Sequence, residues 1–364
     1  METIRHILDN IKLSYPISTI SNPEDILFID IETTGFTAKT SKLYLIGCVF
    51  YEYEKWQTVQ FFANDYSDEA KLLEEFFYFA KKYKKLIHFN GNNFDIPYIL
   101  DKCKEFNLDY NFDSFEGIDI YKRVQPLKPL LKIENCKQKT IEKFLKIDRE
   151  DIYSGGDLIG IYHEYVKSKD EDLKEKLLLH NFEDIAGMLE LLPILSYSDL
   201  FNQKVKVLKV SASSFIDING ADKEELLMAF ELPNPFPIPV TYLSNGIYFT
   251  GNGTQALLRV PIYNGELKYF FANFKDYYYL PFEDIALHKS VAAFVDKDKR
   301  EQAKVSNCYT KKLSRFLPQW EPIFEPFFKE SYNSKITYFE LTDERKTDRQ
   351  LFSDYANHIL ANLL

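Results

Sequence analysis

Three features of the sequence predict an α/β domain, a mixed sheet flanked by helices, followed by a smaller β-rich α+β domain. At 364 residues the chain exceeds what one hydrophobic core usually serves, so two domains are expected. Its first two hundred residues alternate strand-like and helix-like patterns. Beyond residue 200 the texture changes to short apolar runs separated by Gly, Asn or Asp, as in antiparallel sheet. The expected domains are therefore 1–202 and 203–364.

ILFIDIETT (26–34) is apolar and β-branched up to Asp30, then polar, which predicts a central strand. LYLIGCVFYEY (43–53) and WQTVQFFA (56–63) follow as two antiparallel strands around a charged turn. Residues 67–84 open with Ser67 and acids, close with lysines, and repeat apolar positions at helical spacing; this predicts a capped helix leading into the strand KLIHF. Asn90, Gly91 and Asn92 predict a sharp turn, and FDIPYILDKCKEF a helix that tolerates Pro97 in its first turn. Helical period recurs over 133–147 and 172–195, with a Gly-Gly pause at 155–156 between them. In the second domain, KVKVLKVSA, IYFTGNG, ALLRVPIY, LKYFFANF and YYYLPFE predict short strands. Helices are expected near 221–230, 290–303 and 349–362, and the proline-rich 233–240 as a rigid loop.

A composition that is 45% hydrophobic and 16% aromatic can fill both cores, and nothing in it reads as disordered. Cys48, Cys103, Cys136 and Cys308 stand far apart without a CxxC pair, which supports neither a zinc knuckle nor a disulfide framework. The N-terminal METIRHILDNIKL has no basic region followed by an apolar core, and no long apolar run occurs. The expectation is a soluble, cytoplasmic protein without leader or membrane span. Net charge is -10, and of 55 acidic and 45 basic residues, 35 and 25 fall in residues 1–200, leaving 20 of each beyond. Bound divalent metals would neutralise part of that local excess. Within 288–315, eight Lys or Arg face three acids; they could steer a phosphate-bearing partner or serve solubility alone.

Asp30 and Glu32, at the end of an apolar strand, share one face by the two-residue period. Two such close acids repel unless a cation sits between them, although a solvated strand edge also tolerates them. Asp95 follows the NGNN turn and stands near a helix start, where capping is its alternative role. Asn90 and Asn92 fit backbone geometry. Asp184 sits midway through a largely apolar helix with His180 one turn before it, a pair that could also be a surface His–Asp contact. Together Asp30, Glu32, Asp95 and Asp184 would supply the oxygen cage for two magnesium or manganese ions ~3.5–4 Å apart, clamping an attacking water and a leaving 3′ oxygen. His180 would then take the water's proton, since an imidazole titrates near neutrality.

The segments ILFIDIETTG, HFNGNNFDIPYIL and HNFEDIAGMLELL resemble the three motifs of the DEDD 3′–5′ exonucleases of the ribonuclease H-like superfamily. The likeness is greatest to a bacterial subgroup of uncharacterised ribonuclease H-like exonucleases. More distantly, NFDIPYIL is similar to the proofreading domain of family B DNA polymerases. The resemblance covers roughly 23–200. It implies a ribonuclease H-like fold, the four acids as metal ligands and His180, four residues before Asp184, as general base. KIENCKQKTIEKFLKIDREDIYSGGDLI also resembles that subgroup, and in related enzymes such a segment shapes the substrate groove.

The implied reaction is hydrolysis of a phosphodiester at a 3′ end, releasing nucleoside monophosphates. Thr33, Thr34 and Gly35 would lie near the terminal nucleotide, and Phe94 fits either a base-stacking or a core role. Without a long basic patch, single-stranded or frayed DNA or RNA is the expected partner. In the second domain Tyr309 and Phe316 interleave with basic residues, a pattern suited to stacking and phosphate contacts. The rival reading is a non-catalytic nucleic-acid-binding or assembly protein retaining this fold; a lost carboxylate would be its sign, and all four are present. A third reading is a metal bound only for stability.

Overall fold

In a computed structural model the residues described are 1–9, 11, 13–148, 150, 153, 155–217 and 219–364. They divide into two compact units. The first comprises Met1–Leu200 with Asn234–Ile238, the second Phe201–Pro233 with Pro239–Leu364.

Unit 1 is built on a six-stranded mixed sheet in the order β1 (Glu2–Ile7), β4 (Lys55–Phe62), β3 (Leu43–Glu52), β2 (Ile26–Thr33), β5 (Lys85–His88), β6 (Glu116–Asp119). The pairs from β1 to β2 are antiparallel, whereas β5 lies parallel to β2 and β6 parallel to β5. Burial on both faces explains why β2 reads as a continuous apolar run: Ile26 to Ile29 are all inaccessible. Helix α1 (Glu69–Ala80) turns Leu72, Leu73, Phe76 and Phe77 into the core, as its spacing predicts. Helix α2 (Asp95–Glu105) carries Pro97 in its first turn, where a missing N–H costs nothing. Short helices α3 (Ile120–Val124) and α4 (Lys128–Leu131) follow β6. Then come α5 (Gln138–Leu145), α6 (Gly155–Ser168), α7 (Glu171–Leu191) and α8 (Leu195–Asn202).

Several expectations need correction. The Gly-Gly pause at 155–156 is the first turn of α6, a helix that the sequence reading passed over; α5 is shorter than 133–147. Of the segment expected to shape the groove, residues 149, 151, 152 and 154 lie outside the described set.

In unit 2, β7 (Val207–Ile216), β8 (Asp222–Ser244) and β9 (Ile247–Phe270) follow one another along the chain. Four small strands follow around the short helix α9 (Lys289–Ala292): β10 (Tyr277–Leu280), β11 (Ile285–His288), β12 (Glu301–Gln302) and β13 (Tyr309–Gln319). The chain ends with β14 (Phe327–Phe328), β15 (Thr337–Glu340), α10 (Asp343–Thr347) and α11 (Arg349–Ala361). The main sheet runs β14-β15-β13-β9-β8-β7, and β11-β10-β12 form a small separate one. The helix expected at 221–230 is strand. Its Ala, Glu, Leu and Met favour a helix, but pairing with β7 buries Leu226, Met228 and Phe230 in alternation. The expected proline loop is also strand. Pro233, Pro235, Pro237 and Pro239 alternate, so the missing N–H groups all fall along one edge, and this stretch extends past the end of β8's pairing with β7. The expected helix at 290–303 shrinks to α9 and gives way to β12, while the one at 349–362 forms as α11. Three of the short runs expected as separate strands merge into the 24-residue β9. Among the described residues, no helix is long and apolar enough to cross a membrane.

Candidate active site

The sheet order reverses at β2, with antiparallel β3 on one side and parallel β5 on the other. In open α/β sheets such a switch point, at the carboxyl ends of the parallel strands, leaves a crevice for ligands. Asp30 and Glu32 lie there, and the register shifts immediately after Glu32. Helix α7 packs on β2, β3 and β4 and presents His180 and Asp184 from successive turns. Asp95 is the first residue of α2, reached from β5 through a turn in which Asn90 adopts φ 63°. Its Oδ1 accepts the Ile31 backbone N–H at 3.2 Å, which pins α2 to the strand bearing the other two acids.

The geometry brings Glu32, His180 and Asp184 together: each offers a ligand atom within 4.8 Å of the others. His180 Nε2 stands 3.3 Å from Asp184 Oδ2 and 3.7 Å from Glu32 Oε1. Asp30 and Asp95 are not in that tight group, but Asp30 feels the charges of Glu32, Asp184 and Asp95. Burial pushes the Asp30 carboxyl well above its ordinary range, and the negative charges of Asp95, Glu32 and Asp184 push it further, against a hydrogen bond from Asn181. Asp95, buried at 5% exposure, is pushed up to about 7, first by burial and then by Asp119, while backbone N–H groups oppose the shift.

Three carboxylates whose charges raise the proton affinity of Asp30 fit a divalent cation, which relieves that repulsion without protonation. The donors are hard oxygens with one imidazole, a set suited to magnesium or manganese.

Asp119 is an acid that the sequence reading missed. At the end of β6, it accepts the backbone N–H groups of Asn90 (2.9 Å) and Asn92 (3.4 Å), holding the turn that leads to Asp95. Its strand, Glu-Gly-Ile-Asp, is too short and polar to carry the apolar signal that marked Asp30. Asn90 and Asn92 thus take the backbone role expected of them.

Beside Glu32 a groove of about 290 Å³ is lined by Ile31, Thr33, Gly35, Phe36 and Phe94, with Gly155, Gly156 and Ile159 of α6. Phe36 is 89% exposed and meets Phe94 edge to face at 6.2 Å between ring centroids. The hydroxyl of Thr33 donates to Gly35 O and that of Thr34 accepts from Lys42 N, so both close the loop on which Phe36 stands.

A larger hollow, about 1000 Å³, lies within unit 2 against Glu224, Glu225, Arg259 and Tyr263. Arg259 pairs there with Glu225, and Glu224 with Arg315, and the candidate acids are elsewhere. The basic run at 288–315 is likewise partly engaged: Lys299, Lys311 and Lys312 pair with Asp296, Asp284 and Glu340. Tyr309 and Phe316 are buried, at 5% and 0% exposure, so they serve the core and are closed to the stacking expected of them.

The chain is similar in places to several solved structures. The family B DNA polymerase of the archaeon Pyrobaculum calidifontis is 16% identical over 49% of this chain and 26% of that one, with a TM-score of 0.39. Exonuclease I of E. coli in complex with a dT13 oligonucleotide is 11% identical over 57% of this chain and 55% of that one, with a TM-score of 0.30. The zinc-bound complex of the same exonuclease with single-stranded DNA gives 12% identity, 57% and 54% coverage, and 0.29. The matches thus span about a quarter of the polymerase and just over half of the exonuclease. No curated protein sequence matches. Residues 27–196, which hold all five candidate site residues, match the family model described as the RNase_H superfamily.

Proposed function

We propose that residues 1–202 form a metal-dependent 3′–5′ exonuclease acting on single-stranded or frayed ends of DNA or RNA, with 203–364 as an accessory domain. One observation carries this reading: Asp30, Glu32, Asp95 and Asp184 gather with His180 at the carboxyl ends of β2 and β5, beside a groove with an exposed aromatic ring. The match of 27–196 to the RNase_H superfamily supports it.

Asp30, Glu32, Asp95 and Asp184 would hold two magnesium or manganese ions. When bound, such ions supply charge neutralisation at the scissile phosphate and a more acidic attacking water. His180 Nε2 faces the acids and accepts that water's proton, and Asp184 Oδ2 at 3.3 Å stabilises the resulting imidazolium. Water attacks phosphorus, the bond to the 3′ oxygen breaks, that oxygen takes a proton from solvent to become the new 3′ hydroxyl, and a nucleoside 5′-monophosphate leaves. The groove takes the terminal nucleotide, with Phe36 and Phe94 against its base.

The test is nucleotide release from 3′- and 5′-labelled single-stranded DNA and RNA with magnesium or manganese, with folded Asp30→Ala and Asp184→Ala proteins alongside. Metal-dependent shortening from the 3′ end by the wild type alone is expected. Absence of turnover on every strand, with the protein folded and metal bound, would replace this reading with a non-catalytic binding module.

A further inference from the structure

A polar chain runs beneath the carboxylates. Asp30 on β2 stands opposite Gly47 on β3, and Gly47 opposite Gln60 on β4, so the three form a row across the sheet. Directly paired residues project to one face. Over this row lies Asn181 of α7, fully buried, as is Gln60.

The polarity of the chain is forced from one end. The backbone carbonyl of Leu178 can only accept, so Gln60 presents Nε2 to it at 2.9 Å. The same Nε2 donates its other hydrogen to Asn181 Oδ1 at 3.0 Å. With Oδ1 engaged, Asn181 turns Nδ2 to Asp30 and donates to Oδ2 at 3.0 Å. Gly47 makes the room: an added Cβ would fall 2.8 Å from Asn181 Cγ and 3.0 Å from Nδ2. Glycine weakens a strand interior, and here the amide lying over it supplies the reason for its presence.

We infer that Asn181, oriented by Gln60 and admitted by Gly47, is the positioning residue that sets the Asp30 carboxylate for metal binding. The inference rests on the metal centre proposed above. Gln60, Gly47 and Asn181 lie beneath the carboxylates, and their effect reaches the metal through the orientation of Asp30.

The test measures Mn²⁺ affinity by calorimetry on the full chain, with thermal melts of the metal-free proteins alongside. Asn181→Ala and Gly47→Ala are each expected to weaken Mn²⁺ binding by ~10–100-fold. The double variant should bind no more weakly than Asn181→Ala alone, because without the amide the new Cβ displaces nothing. Should Gly47→Ala fail to fold, Gln60→Met enters the same cycle with the same non-additivity expected. A folded Asn181→Ala protein with wild-type affinity, or additive losses in the double variant, would overturn the inference and leave the metal centre standing. No Mn²⁺ binding by the folded wild type would overturn the metal centre, and the inference with it.

Discussion

His180 sits 3.3 Å from Asp184 and 3.7 Å from Glu32, close enough to be a base beside the metal or a ligand to it. Replacement separates the roles. His180→Ala should lower kcat by ~10²–10⁴-fold, the usual contribution of a positioned base, with Mn²⁺ affinity retained. A parallel loss of Mn²⁺ binding would make His180 a ligand. Asp95 supplies a second prediction, because a buried charge held among like charges destabilises the metal-free protein. Asp95→Asn keeps an acceptor for the Ile31 N–H and removes the charge. In chelator at pH 8, its melting temperature should rise by several degrees, at ~2–4 °C per kcal/mol for a domain of this size, while Mn²⁺ affinity falls. An unchanged or lower melting temperature would show that repulsion at this position is slight. The four candidate acids stand out in the sequence as carboxylates in or beside apolar runs, and His180 as the residue one turn before Asp184. Gln60, Asn181 and Asp119 do not: an amide or a strand-end acid becomes significant only when the fold shows what it faces.

Among the elements, β2, β3, β4, α1, β5 and α2 were readable because local pattern and tertiary role agree: apolar runs are buried strands and capped periodic runs are helices. The misreadings fall where long-range pairing decides. β8 is helix-like by composition, and only its partners β7 and β9 make it a strand. Likewise β1 and β6 are short edge strands with little local signal. Helix α11 joins the unit 2 sheet through a titratable group: His358 Nε2 accepts the Trp320 backbone N–H at 3.1 Å. Burial holds His358 below its ordinary value, with Glu321 pulling the other way. The folded state therefore favours the neutral ring, and the unfolded chain binds a proton at higher pH. Stability from this group is present above ~6.5 and is lost as pH falls toward the lower folded value. A thermal scan should show wild-type stability declining below pH ~6.5, and His358→Gln, which keeps an acceptor but does not titrate, losing part of that slope. Identical slopes would remove His358 as a contributor.

At the scale of the whole molecule, the net charge of -10 resides in residues 1–200, which contain the carboxylate cluster, while those beyond 200 balance. An uncompensated acidic site is a poor partner for a polyanion until cations occupy it, so binding of a single-stranded oligomer should require divalent metal. Titrating a fluorescent oligomer into the protein with and without chelator checks this: equal affinity in both would place binding elsewhere on the surface. In unit 2, several basic side chains are paired with acids and the candidate stacking rings are buried. Metal among the four acids is the premise of the proposed chemistry. Crystals soaked with Mn²⁺ and a nucleoside 5′-monophosphate, with anomalous difference maps computed at the manganese edge, test that most directly. Two peaks among Asp30, Glu32, Asp95 and Asp184 are expected, with the nucleotide base against Phe36 and Phe94; maps without manganese at these carboxylates would contradict the proposed metal centre.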